Sequence, residues 1–224
     1  MNGSLVFDED LAIRPAYIYT REINAEMEAK IDKSKFVLDA RKRREILSIL
    51  TFRWDVSAGD EAPAFDLRTT DGQELRLADL RGRIAVFMFA AMTCPPAREQ
   101  VPRWDALQKK YDPSQVKLFL IYSRERHPGE PGYPDFHYTQ TDQEKMDYAR
   151  MLADLTNLTV AVDSIDEKAL GLYGNVPNSA YVVDRSGRIV FRATWADSRK
   201  IEKVVEVLLA HDTKAGVSRQ PASH

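Results

Sequence analysis

Cysteine is the scarcest residue type of this chain, since Cys94 is the one thiol in 224 residues. A single cysteine cannot form a disulfide within the chain, so any oxidised state must involve a second molecule. This usage fits a reducing compartment. The four histidines are scattered and, with one cysteine, show no spacing typical of zinc ligands. We therefore expect neither an internal disulfide nor a metal site.

Long apolar runs and a strong net charge are also missing. The longest apolar stretch, Ile84 to Met92, is far shorter than the roughly 20 residues of a membrane-spanning helix. The N-terminus has no basic-then-apolar signal pattern. A net charge of -2 gives no overall attraction to nucleic acid or membranes. The chain is therefore expected to be cytoplasmic, with neither kind of partner.

The first quarter of the chain differs from the rest. Glu22 to Phe52 is rich in helix formers, and Ile23, Met27 and Ile31 recur at every fourth position. Breakers such as Gly59 follow. We predict a helical N-terminal extension, a compact domain and a disordered tail, over residues 1–58, 59–211 and 212–224.

The extension has two possible roles. Its apolar positions, Ile46, Leu47, Ile49 and Leu50, can supply the interface of a homodimer. They can equally dock the extension on its own domain. The basic run of residues 41–44 fits a solvated helix face better than an anion site.

Strand and helix patterns alternate beyond the extension. Two short extended runs flank Asp71-Gly72, which is typical of a hairpin. The apolar runs 83–91 and 116–123 predict buried strands. Between them, apolar residues at a spacing of three predict a helix from Pro95 to Tyr111.

The second half continues this alternation. Thr141 with Glu144, and Ser164 with Glu167, have capping-box spacing. They predict helices over 142–155 and 165–173, with a strand at 158–163 between them. A hairpin turning at Ser186-Gly187 and a last helix over 198–209 complete the pattern. This order predicts an α/β protein with a thioredoxin-like fold, in which helices cover both faces of a mixed central sheet that has an N-terminal β-hairpin.

Cys94 lies where the first buried strand meets a helix. If Cys94 is the N-cap, Pro95 occupies the first helical position, and unpaired N–H groups and the helix dipole face the sulfur. Thr93 can add a hydroxyl donor. Both features favour the reactive thiolate. The alternative is a buried, inert cysteine, which is common for this residue type.

Four segments, "MTCPP", "IYSRERHPGE", "VDSIDEKALGLYGNVP" and "AYVVDRSGRIVF", together give the chain a family resemblance. In order and separation they resemble segments of the iodothyronine deiodinases and their bacterial relatives, within the thioredoxin and peroxiredoxin superfamily. The resemblance covers roughly residues 60 to 210. It implies that Cys94 replaces the selenocysteine of the animal enzymes, that Glu125 and His127 are catalytic, and that Pro177 is the cis proline of the fold.

Two positions near the thiol depart from related motifs. Met92 stands where the animal deiodinases carry another cysteine, and Ala97 takes the fourth position of a thioredoxin C-x-x-C. Without a resolving thiol, an oxidised Cys94 must be regenerated by an external thiol such as glutathione or a thioredoxin. No bound cofactor is expected.

Several further residues are candidates for holding a small-molecule substrate. Met92, Pro177 and Asn178 flank the site by resemblance. His137 belongs to a Pro- and Gly-rich loop that can form a lid. Trp104 can offer an aromatic wall, although core packing is an equally good interpretation.

These observations favour a one-cysteine thiol oxidoreductase. Cys94 would attack a peroxide oxygen or a halogen on an aromatic ring, and the sequence does not separate the two. Thr93 would polarise a peroxide, and His127, which can exchange a proton near neutral pH, would protonate a leaving group. The other hypothesis is a thioredoxin-fold binding or assembly module whose cysteine is not catalytic.

Overall fold

The computed structural model describes residues 5–7 and 53–217, and side chains as far as residue 211. The predicted helical extension therefore lies outside the described residues, apart from its first and last few positions. No helix of the described part has the length and apolar character needed to cross a membrane.

Seven strands form one sheet. In chain order they are β1 Asp66–Thr69, β2 Glu74–Arg76, β3 Ile84–Ala90, β4 Val116–Tyr122, β5 Thr159–Val162, β6 Ala180–Val183 and β7 Ile189–Ala193. Their order across the sheet is β2-β1-β5-β4-β3-β6-β7. β3, β4 and β5 pair in parallel, whereas the outer pairs are antiparallel. The mixed sheet confirms the predicted fold class.

Four α-helices accompany the sheet. They are α1 Pro95–Gln108, α2 Asp142–Ala153, α3 Lys168–Tyr173 and α4 Ser198–Val217, and a short 3-10 helix spans Leu77–Leu80. α4 continues to Val217, beyond the predicted helix end at residue 209. Residues 218–224 lie outside the described residues.

Both faces of the sheet are covered, because side chains alternate along each strand. On β3, Val86 and Met88 join a core cluster with residues of α1, α2 and α4. Phe87 and Phe89 join a second cluster, which includes Tyr173 of α3. β3 is thus buried on both sides, as its continuous apolar run predicts.

The two predicted hairpins are present. β1 and β2 pair across Gly72, and β6 and β7 pair across Gly187. Both glycines have positive φ, 86° and 85°, a conformation that glycine adopts at no steric cost.

The two predicted capping boxes have different outcomes. Thr141 caps α2 as expected, since its hydroxyl accepts a hydrogen bond from Glu144 N at 3.2 Å. The Ser164 and Glu167 pair does not open a helix at residue 165. Instead α3 begins at Lys168, after Glu167 in a left-handed conformation. The Ser164 hydroxyl accepts the Lys168 N–H at 3.3 Å, and the buried Asp163 carboxylate accepts the next two, from Ala169 at 2.9 Å and Leu170 at 2.8 Å.

Candidate active site

Cys94 is the N-cap residue of α1, which confirms the predicted junction. β3 ends at Ala90, and a short turn leads to Cys94, whose N–H donates to Ala91 O at 3.2 Å. Pro95 then begins the helix, at the position where proline costs least because its missing N–H would be unpaired anyway. The sulfur therefore lies at the amino end of a 14-residue helix.

Burial outweighs the helix end in setting the ionisation of Cys94. The residue is 4% exposed, and loss of water raises the pKa of its thiol above the usual 9.0. The Ala97 backbone N–H and the Arg126 guanidinium lower this pKa, but by less. The Glu125 carboxylate raises it slightly. The structure therefore gives Cys94 a thiol pKa raised by burial, whereas the sequence analysis expected the helix end to favour the thiolate.

Glu125 anchors the turn that precedes the thiol. Its buried carboxylate accepts the Thr93 backbone N–H at 2.9 Å, and the hydroxyls of Thr93 and Tyr122 also donate to it. The Met92 N–H donates to the Tyr122 hydroxyl at 3.1 Å. The carboxylate thus joins the end of β4 to the Cys94 turn and holds that turn in place.

The hydroxyl of Thr93 serves this same anchor. Thr93 is fully buried, and its oxygen also accepts the backbone N–H groups of Arg126 at 3.0 Å and His127 at 3.3 Å. The structure therefore directs this hydroxyl towards Glu125 and not towards a peroxide. Thr93 is a positioning residue here.

Cys94 borders a cavity of about 880 Å³, which is within the usual size range of small-molecule sites. Its walls bring together four predicted site residues, Cys94, Glu125, His127 and Pro177. The His127 ring is half-buried, and its Nδ1 lies 3.2 Å from the Glu130 carboxylate. An imidazole so placed can exchange protons with a bound molecule.

Besides Thr93, four predicted residues do not line this cavity. Trp104 is fully buried in the core cluster beneath α1, so its role is packing. Met92 packs at the edge of the same cluster. Asn178 is buried, with φ at 55°, and His137 is exposed and rests against Tyr148.

Two predictions about the surroundings of Cys94, the geometry at Pro177 and the role of His137 in its loop, differ from the structure. The Val176–Pro177 bond is trans, since the described chain contains no cis peptide, so the cis geometry implied by resemblance is wrong. The loop of His137 does border the cavity, but through Tyr138, Thr139 and Gln140. The sequence prediction chose the right loop and the wrong side chain.

The cavity residues that the sequence analysis missed include Arg126, Tyr138, Lys145 and Trp195. Arg126 stands between the two residues singled out in "RERH". Lys145 shares a buried helix face with Ala149 and Leu152, a spacing that was available as a signal. Tyr138 and Trp195 are about half exposed at 54% and 48%, and no pattern in the sequence marks them.

The described part of the chain contains no cluster of side chains suited to bind a metal ion. Within it, no group of three or more histidine, cysteine, aspartate or glutamate side chains is arranged to hold an ion.

Comparisons with known proteins agree with this architecture. A sequence model of the AhpC/TSA family matches residues 58–192. Over 136 residues the chain is 27% identical to the thioredoxin-like protein YneN of Bacillus subtilis (strain 168), covering 60% of this chain and 69% of that protein. It is 24% identical over 133 residues to the thiol-disulfide oxidoreductase ResA of Bacillus anthracis, covering 59% and 66%. The chain thus spans just under two thirds of that second relative.

A solved structure supports the fold independently. The thioredoxin domain of a thiol-disulfide oxidoreductase from Bacteroides vulgatus matches with a TM-score of 0.51 and 17% identity. The match covers 67% of this chain and 99% of that domain. The architecture is therefore thioredoxin-like, as the order of elements predicts.

Proposed function

The chain belongs to the AhpC/TSA family, and we propose that it is a thiol oxidoreductase that works with Cys94 alone. One observation carries the proposal. Cys94 caps α1 and borders a substrate-sized cavity, whereas the C-x-x-C partner position one turn along is the fully buried Ala97. This thiol can therefore be oxidised by a bound molecule, and the chain has no second thiol to resolve it.

The favoured oxidant is a hydroperoxide. The Cys94 thiolate attacks one peroxide oxygen, the O–O bond breaks, and the departing alkoxide takes a proton, which His127 is placed to supply. The products are a sulfenic acid and an alcohol. An external thiol, glutathione or a thioredoxin, then displaces water to form a mixed disulfide. A second thiol releases the Cys94 thiol and the external disulfide.

Thiol–disulfide exchange at Cys94 would use the later steps of this cycle, in which a mixed disulfide forms and a second thiol reduces it. The similarity to a protein named as a thiol-disulfide oxidoreductase supports this activity. With Cys94 as the one cysteine of the chain, exchange with an external disulfide stops at the mixed disulfide until another thiol arrives.

A halogenated aromatic is the alternative substrate, and the exposed rings of Tyr138 and Trp195 at the cavity favour it. In that reaction the halogen passes from carbon to the Cys94 sulfur. The ring carbon takes a proton from His127. An external thiol then attacks the Cys94 sulfur and displaces halide to form a mixed disulfide, and a second thiol releases the Cys94 thiol.

A non-catalytic binding module is the second candidate function. The observation that favours it is the near-complete burial of Cys94, which raises the pKa of the thiol. In such a module, iodoacetamide would label Cys94 only after unfolding.

Turnover in the presence of external thiol tests the proposal. The wild-type protein is mixed with hydrogen peroxide and either glutathione or reduced thioredoxin, and peroxide consumption is followed. We expect catalytic consumption that is lost in Cys94→Ser, with a mixed disulfide at Cys94 trapped by acid quenching. Iodide release from an iodophenol without peroxide turnover would select the dehalogenase. If the protein shows neither activity, and iodoacetamide does not label Cys94 in the folded protein, the result would favour the binding module.

A further inference from the structure

The cavity beside Cys94 carries an excess of basic groups. Three basic side chains, Arg124, Arg126 and Lys145, line it with one acidic side chain, Glu125. The Glu125 oxygens are already occupied by Thr93 and Tyr122. The acid is therefore committed to the protein's own turn, and its single negative charge leaves the three basic groups in excess.

Two of the three basic groups have partners. Arg124 lies beside Glu167, which accepts its backbone N–H at 2.6 Å and approaches its guanidinium at 3.7 Å. The Lys145 ammonium donates to Ser164 O at 2.7 Å.

Arg126 differs from both. Its Nε and Nη2 are buried and have no hydrogen-bond partner among the described residues. These two nitrogens form one edge of the guanidinium, the fork that binds a carboxylate through two parallel hydrogen bonds. Arginine stays charged at any ordinary pH, and the Glu167 carboxylate is the main opposite charge that acts on it. Buried N–H groups without an acceptor are unfavourable, so a small turn of this guanidinium at the cavity wall would let them bind an anion that enters the cavity.

The rest of the cavity indicates what kind of molecule would carry this anion. Its volume of about 880 Å³ is far larger than a hydrogen peroxide molecule needs. Tyr138, Ile165 and Trp195 add apolar and aromatic surface to its walls. Such walls suit an organic body attached to the charged group.

We propose that the Cys94 cavity selects organic substrates that carry a carboxylate, which the Arg126 guanidinium at the cavity wall binds. The inference rests on the proposed function, because it specifies the class of hydroperoxide that Cys94 reduces. The carboxylate takes no part in the reaction and orients the peroxide group towards the sulfur.

A matched pair of substrates tests the proposal. The probes are cumene hydroperoxide with a para-carboxylate and the methyl ester of the same compound, which differ in charge but share the peroxide. The rate constant of Cys94 oxidation is measured with each, and the acid-to-ester ratio is the readout. A charge-assisted hydrogen bond contributes about 1.5–3 kcal/mol, so we expect a ratio of about tenfold or more. Free cysteine supplies the intrinsic ratio for comparison.

Variants of Arg126 separate binding from thiol activation. Arg126→Met should bring the ratio to that of free cysteine, and Arg126→Lys should keep part of it. The control Arg103→Met removes an exposed arginine of α1 that pairs with Glu99, and it should keep the full ratio. Because Arg126 also favours the thiolate, rates with both probes can fall together. An unchanged ratio in Arg126→Met, or no preference in the wild type, would overturn the proposal.

A binding measurement keeps this inference distinct from the proposed function. In Cys94→Ser, calorimetry should detect 4-isopropylbenzoate but not 4-isopropylbenzamide, and binding should be lost when Arg126→Met is added. Such binding in a protein whose Cys94 reacts with neither hydroperoxide would refute the oxidoreductase and retain the carboxylate site. If 4-isopropylbenzoate does not bind, and the two hydroperoxides oxidise Cys94 at equal rates, the carboxylate site would be refuted while the oxidoreductase proposal would stand.

Discussion

At the residue scale, two opposing effects act on the Cys94 sulfur. Burial disfavours the thiolate, while the Ala97 N–H and the Arg126 guanidinium favour it, and burial is the larger effect. The Ala97 N–H, in the first turn of α1, can also stabilise the charge that develops on a peroxide oxygen during attack. It would then act mainly in the transition state, where stabilisation accelerates a reaction.

The raised thiol pKa predicts a particular pH profile. The thiolate is the reactive form, so the alkylation rate of folded Cys94 by iodoacetamide should rise with pH and still be rising above about pH 9. Measurement of the rate between pH 6 and pH 10 checks this, with Cys94→Ser giving the background. A plateau below neutral pH would show that the thiol pKa is lowered instead.

Removal of one hydroxyl should weaken the anchor beneath the thiol. Tyr122→Phe leaves the Glu125 carboxylate without one donor and the Met92 N–H without its acceptor. Each buried group left unpaired costs about 1–3 kcal/mol, and we expect the free energy of unfolding to fall by at least that amount in urea denaturation. Tyr138→Phe, at an exposed ring, is the control. Equal stabilities of the two variants would refute the anchor.

At the scale of elements, the β3-to-α1 junction determines the chemistry. It was predictable, because an apolar run, a cysteine and a proline follow one another directly. The start of α3 was not. Ser164 and Glu167 have capping-box spacing, yet the Ser164 hydroxyl accepts the Lys168 N–H and the buried Asp163 carboxylate accepts the next two N–H groups of the helix. A buried carboxylate outside the local pattern thus shifted the start of the helix to Lys168.

A second cysteine in the first turn of α1 should change the chemistry of the site. Ala97→Cys creates the C-x-x-C spacing, so an oxidised Cys94 should be resolved within the chain. After peroxide treatment, mass spectrometry should find an internal disulfide and no lasting glutathione adduct. Arg98→Cys places the thiol on the exposed side of the helix, and there the adduct should persist. A persistent adduct in Ala97→Cys would mean that position 97 cannot reach the sulfur.

The cap of α2 offers a test of local stability. Thr141→Ala removes the acceptor of the Glu144 N–H, and loss of such an N-cap typically costs about 0.5–2 kcal/mol. Thr141→Ser keeps the hydroxyl and should remain close to the wild type in thermal unfolding. If the two variants melt at the same temperature, the cap contributes nothing measurable.

At the scale of the whole molecule, the sheet and the cavity differ in how far they could be predicted. Strand and helix periodicity is a local property, so the mixed sheet and its two hairpins follow from the sequence. The cavity is formed by segments distant in sequence, from Cys94 to Trp195. Trp104 shows how far sequence alone can go. Its spacing along α1 fits both a core residue and a residue of the cavity wall, and only the packed structure shows that it lies in the core.

The central claim is that Cys94 alone is the redox-active nucleophile of this fold. The most direct test is the rate at which hydrogen peroxide oxidises reduced Cys94, with dimedone trapping and intact mass to identify the product. We predict one sulfenic acid per chain, formed faster than in free cysteine, slower in His127→Ala and absent in Cys94→Ser. Oxidation no faster than that of free cysteine would contradict the claim that the site activates this thiol for peroxide reduction.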